Sequence, residues 1–179
     1  MNIKESVDLI ESYLDLDRKP VGVKIFFDKK EFDEFDVDQR ENKITYCNSI
    51  QLASRGQAMK LTKENQACPN GAMALKMKEV PEPMASGKAR FSKNIYQSVD
   101  VSKSISDQML FLKEEPAGIA VMPLEDYTEN PDVVIIVGQP YNVMRLIQGH
   151  GYINGYTNNL RTVGLQAVCQ DITTYPYNT

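Results

Sequence analysis

Apolar and polar positions recur along this chain with two periods, about 3.6 and 2, and each stretch of constant period marks an element. Ile3, Val7, Ile10 and Leu14 recur every three or four positions with acids between them, the signature of an amphipathic helix that must stop before Pro20. "PVGVKIFF", residues 20–27, is short, apolar and β-branched, and predicts a buried strand. Phe32 and Phe35 stand one helical turn apart in a charge-dense stretch, which predicts a short surface helix docked by its two rings. A helix is expected over 47–61, capped by Asn48 or Ser49, and a short one from Pro69, since proline is favoured at the first helical position. Pro81, Pro83 and Gly87 predict a loop, after which 102–112 predicts a helix with Ile105, Met109 and Leu112 on one face. The apolar runs 117–124 and 132–138 predict strands, the second of them buried on both faces. Helical signals return over 139–155, and "GLQAVCQDIT", 164–173, predicts a last strand carrying Cys169.

Strands and helices are thus intermixed without a regular βαβα alternation. That pattern predicts α/β in the broad sense: one α+β domain over 1–179, with a mixed sheet and flanking helices.

Composition narrows the function classes. A chain of 179 residues with 42% hydrophobic and 25% charged residues can bury a sizeable core and is not a disordered chain. The formal net charge is −4 and the basic residues are interleaved with acids, so the surface would repel a phosphate backbone and nucleic acid is not an expected partner. "MNIKESVDLIESYLDL" has acids where a secretory signal needs an apolar core, and no run of about 18 apolar residues follows, so a cytoplasmic protein without a membrane partner is expected. A small-molecule ligand and self-association into a homo-oligomer are both compatible with such a chain.

Candidate chemistry starts from the cysteines. Three is an odd number at low density, so a disulfide framework is not expected, and in a reducing compartment cysteines serve packing, metal or catalysis. Cys68 stands where a helix N-cap would be, ahead of Pro69, and Cys47 stands just ahead of another helix. Both would feel unpaired N–H groups and the positive end of a helix dipole, which favours thiolate. The spacing of Cys47, Cys68 and Cys169 matches no standard zinc or ferredoxin pattern. Three readings stand side by side. The three thiolates hold an iron–sulfur cluster with one iron open to a small polar substrate positioned by His150 or Arg145. Alternatively the cysteines are buried packing residues of a small-molecule or partner-binding module. In the third reading Cys68 alone is a nucleophile with His150, the only histidine, as its base. His150 lies between two glycines in "IQGHGYING", where it serves as acid, base or ligand, or simply ends a helix. Neither G-x-G-x-x-G nor a P-loop occurs, so no nucleotide cofactor is expected, and no G-x-S-x-G elbow is present.

"KPVGVKIFF", "YCNSIQLASRGQAMKLTKENQACPNGAMAL", "PDVVIIVGQPYNVMRLIQGHGY" and "LQAVCQDITTYP" together resemble a widespread bacterial and archaeal family, domain of unknown function 169, the ArCR-like proteins. The resemblance covers nearly the whole chain. It implies that Cys47, Cys68 and Cys169 fall in segments where relatives also carry cysteine. Relatives continue past the last cysteine with a further segment containing another cysteine and an arginine, whereas this chain stops at "TTYPYNT". A fourth ligand from that segment is therefore expected to be lacking here, or never to have been needed.

Overall fold

The structure, a computed structural model, describes residues 2–155 and 165–179. Helix α1 (Ile3–Leu14) opens with a reciprocal cap: the Asn2 side chain accepts from the Glu5 N–H, and the Glu5 carboxylate accepts from the Asn2 N–H. The chain then enters β1 (Val21–Phe26), turns through α2 (Lys29–Glu34) and α3 (Tyr46–Ala53), and adds β2 (Met59–Leu61). Four short or medium helices follow: α4 (Pro69–Ala74), α5 (Glu82–Ala85), α6 (Lys88–Phe91) and α7 (Val99–Gln108). Strands β3 (Gly118–Pro123) and β4 (Val133–Ile135) complete the sheet before α8 (Pro140–Asn154), a π-helix (Ala167–Thr174) and a terminal turn, α9 (Tyr175–Asn178).

The sheet runs β2-β3-β1-β4, and every strand pair is antiparallel. The architecture is α+β as expected, but the sheet is not mixed. β3 begins where β1 ends, Phe26 opposite Gly118, and runs back along it. Among the described residues, parallel pairing is confined to two isolated bridges, Gln39 with Lys60 and Ile44 with Gln66.

Period-2 alternation separates two faces. Val21, Val23 and Ile25 of β1 join Ile119 and Val121 of β3 and Val133 and Ile135 of β4 in the main core, which α3 and α4 cover with Tyr46, Ile50, Ala53 and Leu75. Phe26 and Ala120 point the other way, under Phe32 of α2. Phe32 and Phe35 both pack on Phe26, as the sequence predicted for this helix. The buried Lys60 ammonium donates to the carbonyls of Phe32 (2.8 Å) and Phe35 (2.7 Å) at the open end of α2, so its charge is held by the helix C-terminus and not by a carboxylate. Two glycines make room for rings on this face. A Cβ on Gly22 would lie 2.3 Å from the Tyr127 ring, and one on Gly118 2.3 Å from the Phe32 ring.

Several elements differ from the sequence reading. The helix expected over 47–61 ends at Ala53. Gly56, at φ +98°, turns the chain, and Met59 and Leu61 enter the sheet edge as β2. The stretch 80–91, expected as a loop leading to an extended segment, contains the one-turn helices α5 and α6 instead. The run 132–138 yields only a three-residue edge strand with Val134 exposed, so it is not buried on both faces. The strand expected over 164–173 is a π-helix from Ala167; Gly164 lies outside the described residues. Gln170 and Thr174 both donate to the Leu110 carbonyl, and Asn178 donates to that of Phe111, fixing this segment by one side-chain stripe where a strand would turn alternate residues away. No helix among the described residues is long and apolar enough to cross a membrane.

Tyr127 gives a pH prediction. Its hydroxyl donates to the carbonyls of Gly22 (3.1 Å) and Ala120 (3.0 Å), and burial holds its pKa well above the ordinary tyrosine range. The folded state therefore keeps this proton at pH values where the unfolded chain, titrating near ~10, has lost it. The stability contribution is complete below that point and falls as pH rises, by at most about 1.4 kcal/mol per pH unit. Tyr46, also buried and raised, acts in the same direction. In urea titrations across pH 8–11.5, Tyr127→Phe is expected to show a flatter alkaline decline than the parent; equal slopes would exclude Tyr127 as a contributor.

Candidate functional site

Three different elements carry the three cysteines, and all three pairs of those elements pack on one another. Cys47 is the second helical residue of α3, whose cap is Thr45, not Asn48 or Ser49: the Thr45 hydroxyl accepts from the Asn48 N–H at 3.2 Å. Cys68 is the N-cap of α4, with Pro69 in the first helical position. Cys169 sits on the π-helix at 2% exposure, while Cys47 and Cys68 are half-buried. Tyr46, fully buried beside Cys47, ties α3 to the π-helix through a 2.9 Å bond to Thr173. The Thr173 hydroxyl spends its own hydrogen on the Val168 carbonyl at 2.7 Å, so Tyr46 is the donor.

This packing brings the thiols within electrostatic reach of each other. Burial, and then the neighbouring Cys47 and Cys68, push the Cys169 thiol up to about 12. Burial, then Cys68, also raises the Cys47 thiol. The helix start was expected to favour thiolate at Cys47; burial and a like-charged neighbour outweigh it. As free thiols Cys47 and Cys169 keep their protons at neutral pH, and a cation among them would reverse that preference.

A second layer fixes the π-helix. The Cys169 thiol points back to the Gln166 carbonyl at 3.5 Å. The Gln166 carboxamide accepts from the Arg90 guanidinium (2.7 Å) and donates to the Asn70 carbonyl in α4 (3.2 Å). Arg90 is 5% exposed and also donates to Ser106 of α7 at 2.5 Å, so the helical lobe α5–α7 is clamped to the cysteine-bearing segments. On the other side, Gly71 keeps the seam between α3 and α4 narrow: a Cβ there would lie 3.3 Å from Tyr46 Cβ and 3.9 Å from Cys68 Cβ. The Gln66 carboxamide occupies the same seam. Both of its polar atoms are buried without a hydrogen bond among the described residues.

The other expected site residues stand elsewhere. Arg145 and His150 are on exposed positions of α8, a helix with no buried residue. The Arg145 guanidinium donates to Gln148 on its own helix, and the His150 carbonyl accepts from the Asn154 side chain. Extensive packing of α8 against α3, α4 or the π-helix is not present among the described residues. Tyr46, Gln66, Arg90 and Gln166 were not singled out from the sequence. Only position gave a signal for two of them: Tyr46 adjoins Cys47, and Gln66 lies two residues before Cys68. A cleft of about 430 Å³ at the start of α4 is lined by residues that include Lys63, Glu64, Gln66, Pro69, Met77 and Lys78, the neighbours of Cys68 but not Cys68 itself.

The donor set decides which group these residues suit. Three sulfurs and no imidazole suit a thiophilic centre. Among the described residues, no group of three or more His, Cys, Asp or Glu side chains is placed to hold a metal ion. A lone tetrahedral ion, with metal–sulfur bonds of about 2.3 Å, draws thiolates into mutual contact, whereas a multi-iron cluster stands between its ligands and tolerates wider spacing. The orphaned Gln66 amide beside Cys68 is a further unfilled polar demand at the same place.

Comparisons with known proteins give the family of the chain. The model of a family described as uncharacterised ArCR, DUF169, matches residues 9–179. An uncharacterized protein of Methanocaldococcus jannaschii is 28% identical over 172 residues, which covers 94% of this chain and 73% of that protein. No solved structure matches the chain.

Proposed function

The chain belongs to the DUF169 family, and from that premise we propose that Cys47, Cys68 and Cys169 together hold an iron–sulfur cluster that acts on a small polar ligand. The observation that carries this reading is the mutual electrostatic opposition of the thiols, delivered by three elements that pack on one another pairwise. When bound, a cluster with only three protein ligands supplies one open iron as a Lewis acid. The protein's own residues have definable tasks. Cys169 anchors from the buried side, while the half-buried Cys47 and Cys68 leave the centre approachable. The cleft at the start of α4, next along the chain to Cys68, is of a size to admit a modest ligand; its lining carries both signs, Lys63 and Lys78 with Glu64, and Lys63 is paired with Glu115. Tyr46, Gln166 and Arg90 hold the three elements in register.

The test is the absorbance spectrum, with iron and acid-labile sulfide analysis, of protein purified without oxygen. Broad brown absorbance near roughly 400 nm with stoichiometric iron and sulfide is expected. A colourless protein with three titratable thiols that resists reconstitution with ferrous iron and sulfide would overturn the reading.

A further inference from the structure

The face of the sheet opposite α3 and α4 carries a cleft of its own. It measures about 470 Å³ and lies where α2 and residues 127–130 meet β1, which contributes Lys24 and Phe26. Its floor is aromatic. Phe35, half-buried, stands between Phe26 and Tyr127, with ring centroids 5.1 Å and 6.2 Å away and ring planes tilted by 56° and 40°. The flanking rings are held by the fold itself: Phe26 belongs to β1, and the Tyr127 hydroxyl is spent on the Gly22 and Ala120 carbonyls at 3.1 Å and 3.0 Å. A concave, preformed apolar floor with a few polar groups at its edge is the usual form of a small-ligand site.

The edge sets the sign of the ligand. Glu31, Glu34 and Glu129 line it. Glu34 is shared with Lys30 at 3.8 Å along α2, whereas the Glu31 and Glu129 carboxylates have no ion pair among the described residues. The cationic residue of the lining, Lys24, faces Asp132 at 3.7 Å, and Asp132 is itself anchored by the Ile25 N–H at 2.6 Å. Lys24 is thus compensated from outside the lining, and the cleft keeps a net negative charge. Carboxylates on an open surface are only a solvated rim, but beside rings they select a class of ligand. An anion is repelled, and a neutral apolar molecule gains nothing from the acids. An organic ammonium ion uses both parts, with its carbon chain and positive charge against the ring faces and its N–H groups on the carboxylates.

We propose that this cleft binds a small alkylammonium ion, its chain on the floor of Phe26, Phe35 and Tyr127 and its charged nitrogen donating to Glu31 and Glu129. The site is separate from the cysteines and stands or falls independently of what they hold.

The test is an NMR titration of the full-length protein with pentylamine, which is protonated at neutral pH, and with pentanol, which has the same chain and no charge. Pentylamine is expected to shift backbone amides in β1, α2 and residues 127–130, to bind about tenfold more tightly than pentanol, and to bind less tightly as salt is raised. The double variant Glu31→Gln with Glu129→Gln is expected to weaken pentylamine about tenfold and to leave pentanol unchanged. Both glutamates are exposed, so this variant keeps the fold. Phe35→Leu is expected to weaken pentylamine about threefold, the factor for one exposed ring under a cation. Glu41→Gln, outside the cleft lining, should change nothing. Equal binding of amine and alcohol would overturn the proposal, as would shifts confined to other parts of the protein, no binding of pentylamine, or a double variant that binds it as the parent does.

Discussion

Cys169→Ala protein, reconstituted anaerobically with ferrous iron and sulfide, is expected to remain colourless and to bind no stoichiometric iron, while keeping the helical content of the parent. The two halves of this result have separate causes. Cys169 is the most buried of the three thiols and stands on the π-helix, so under the proposed cluster reading its removal leaves only the two half-buried thiols of α3 and the α4 N-cap. The structural loss is small. One sulfur is removed from a core that continues through Ala72, Ala74 and Leu75, and the weak thiol contact to the Gln166 carbonyl at 3.5 Å disappears with it, for a total of about 1–2 kcal/mol. Parallel Cys47→Ala and Cys68→Ala proteins should lose the colour in the same way. Retention of a brown, iron-loaded species by Cys169→Ala would take this residue out of the ligand set and return it to the role of a packed core thiol.

The parts of the fold that could be read from sequence are those in which one short segment carries its own signal. β1 and β3 are apolar runs long enough to declare themselves. α8 begins at a proline after a strand, and α2 shows its two phenylalanines. The parts that could not be read depend on partners far along the chain. β2 is three residues inside a stretch with helical spacing, and only its register against Ile119–Val121 makes it a strand. The π-helix is tied to the Leu110 carbonyl, some sixty residues earlier, by Gln170 and Thr174, a contact that alternation of apolar and polar residues cannot encode.

The site divides in the same way. Cys47, Cys68 and Cys169 were legible as residue types, and the N-cap position of Cys68 as local geometry. The pairwise packing of the three elements that carry them was not legible, because it is a property of distant segments of the chain. Nor was the sign of the effect on Cys47, where burial overrides the helix start. Gln66 was invisible for a related reason: a glutamine near a cysteine is ordinary until the fold denies it water.

The largest loss of stability is expected from Tyr46→Ala, at about 3–5 kcal/mol in urea denaturation. Tyr46 is among the largest fully buried side chains, in the core between the sheet and the cysteine-bearing helices, and alanine would leave a cavity that Gly71, without a side chain, cannot fill from α4. Tyr46→Phe separates packing from the hydrogen bond. It keeps the ring but leaves the Thr173 oxygen without its donor, a change of about 1 kcal/mol. The ring and the hydroxyl should also divide in function. Because the hydroxyl joins α3 to the π-helix, Tyr46→Phe should weaken iron uptake, by letting Cys47 and Cys169 drift apart, more than its modest loss of stability accounts for. If Tyr46→Phe loads iron as the parent does, the register of the two helices is set by packing alone. The hydroxyl is then a contributor to stability and not to the site.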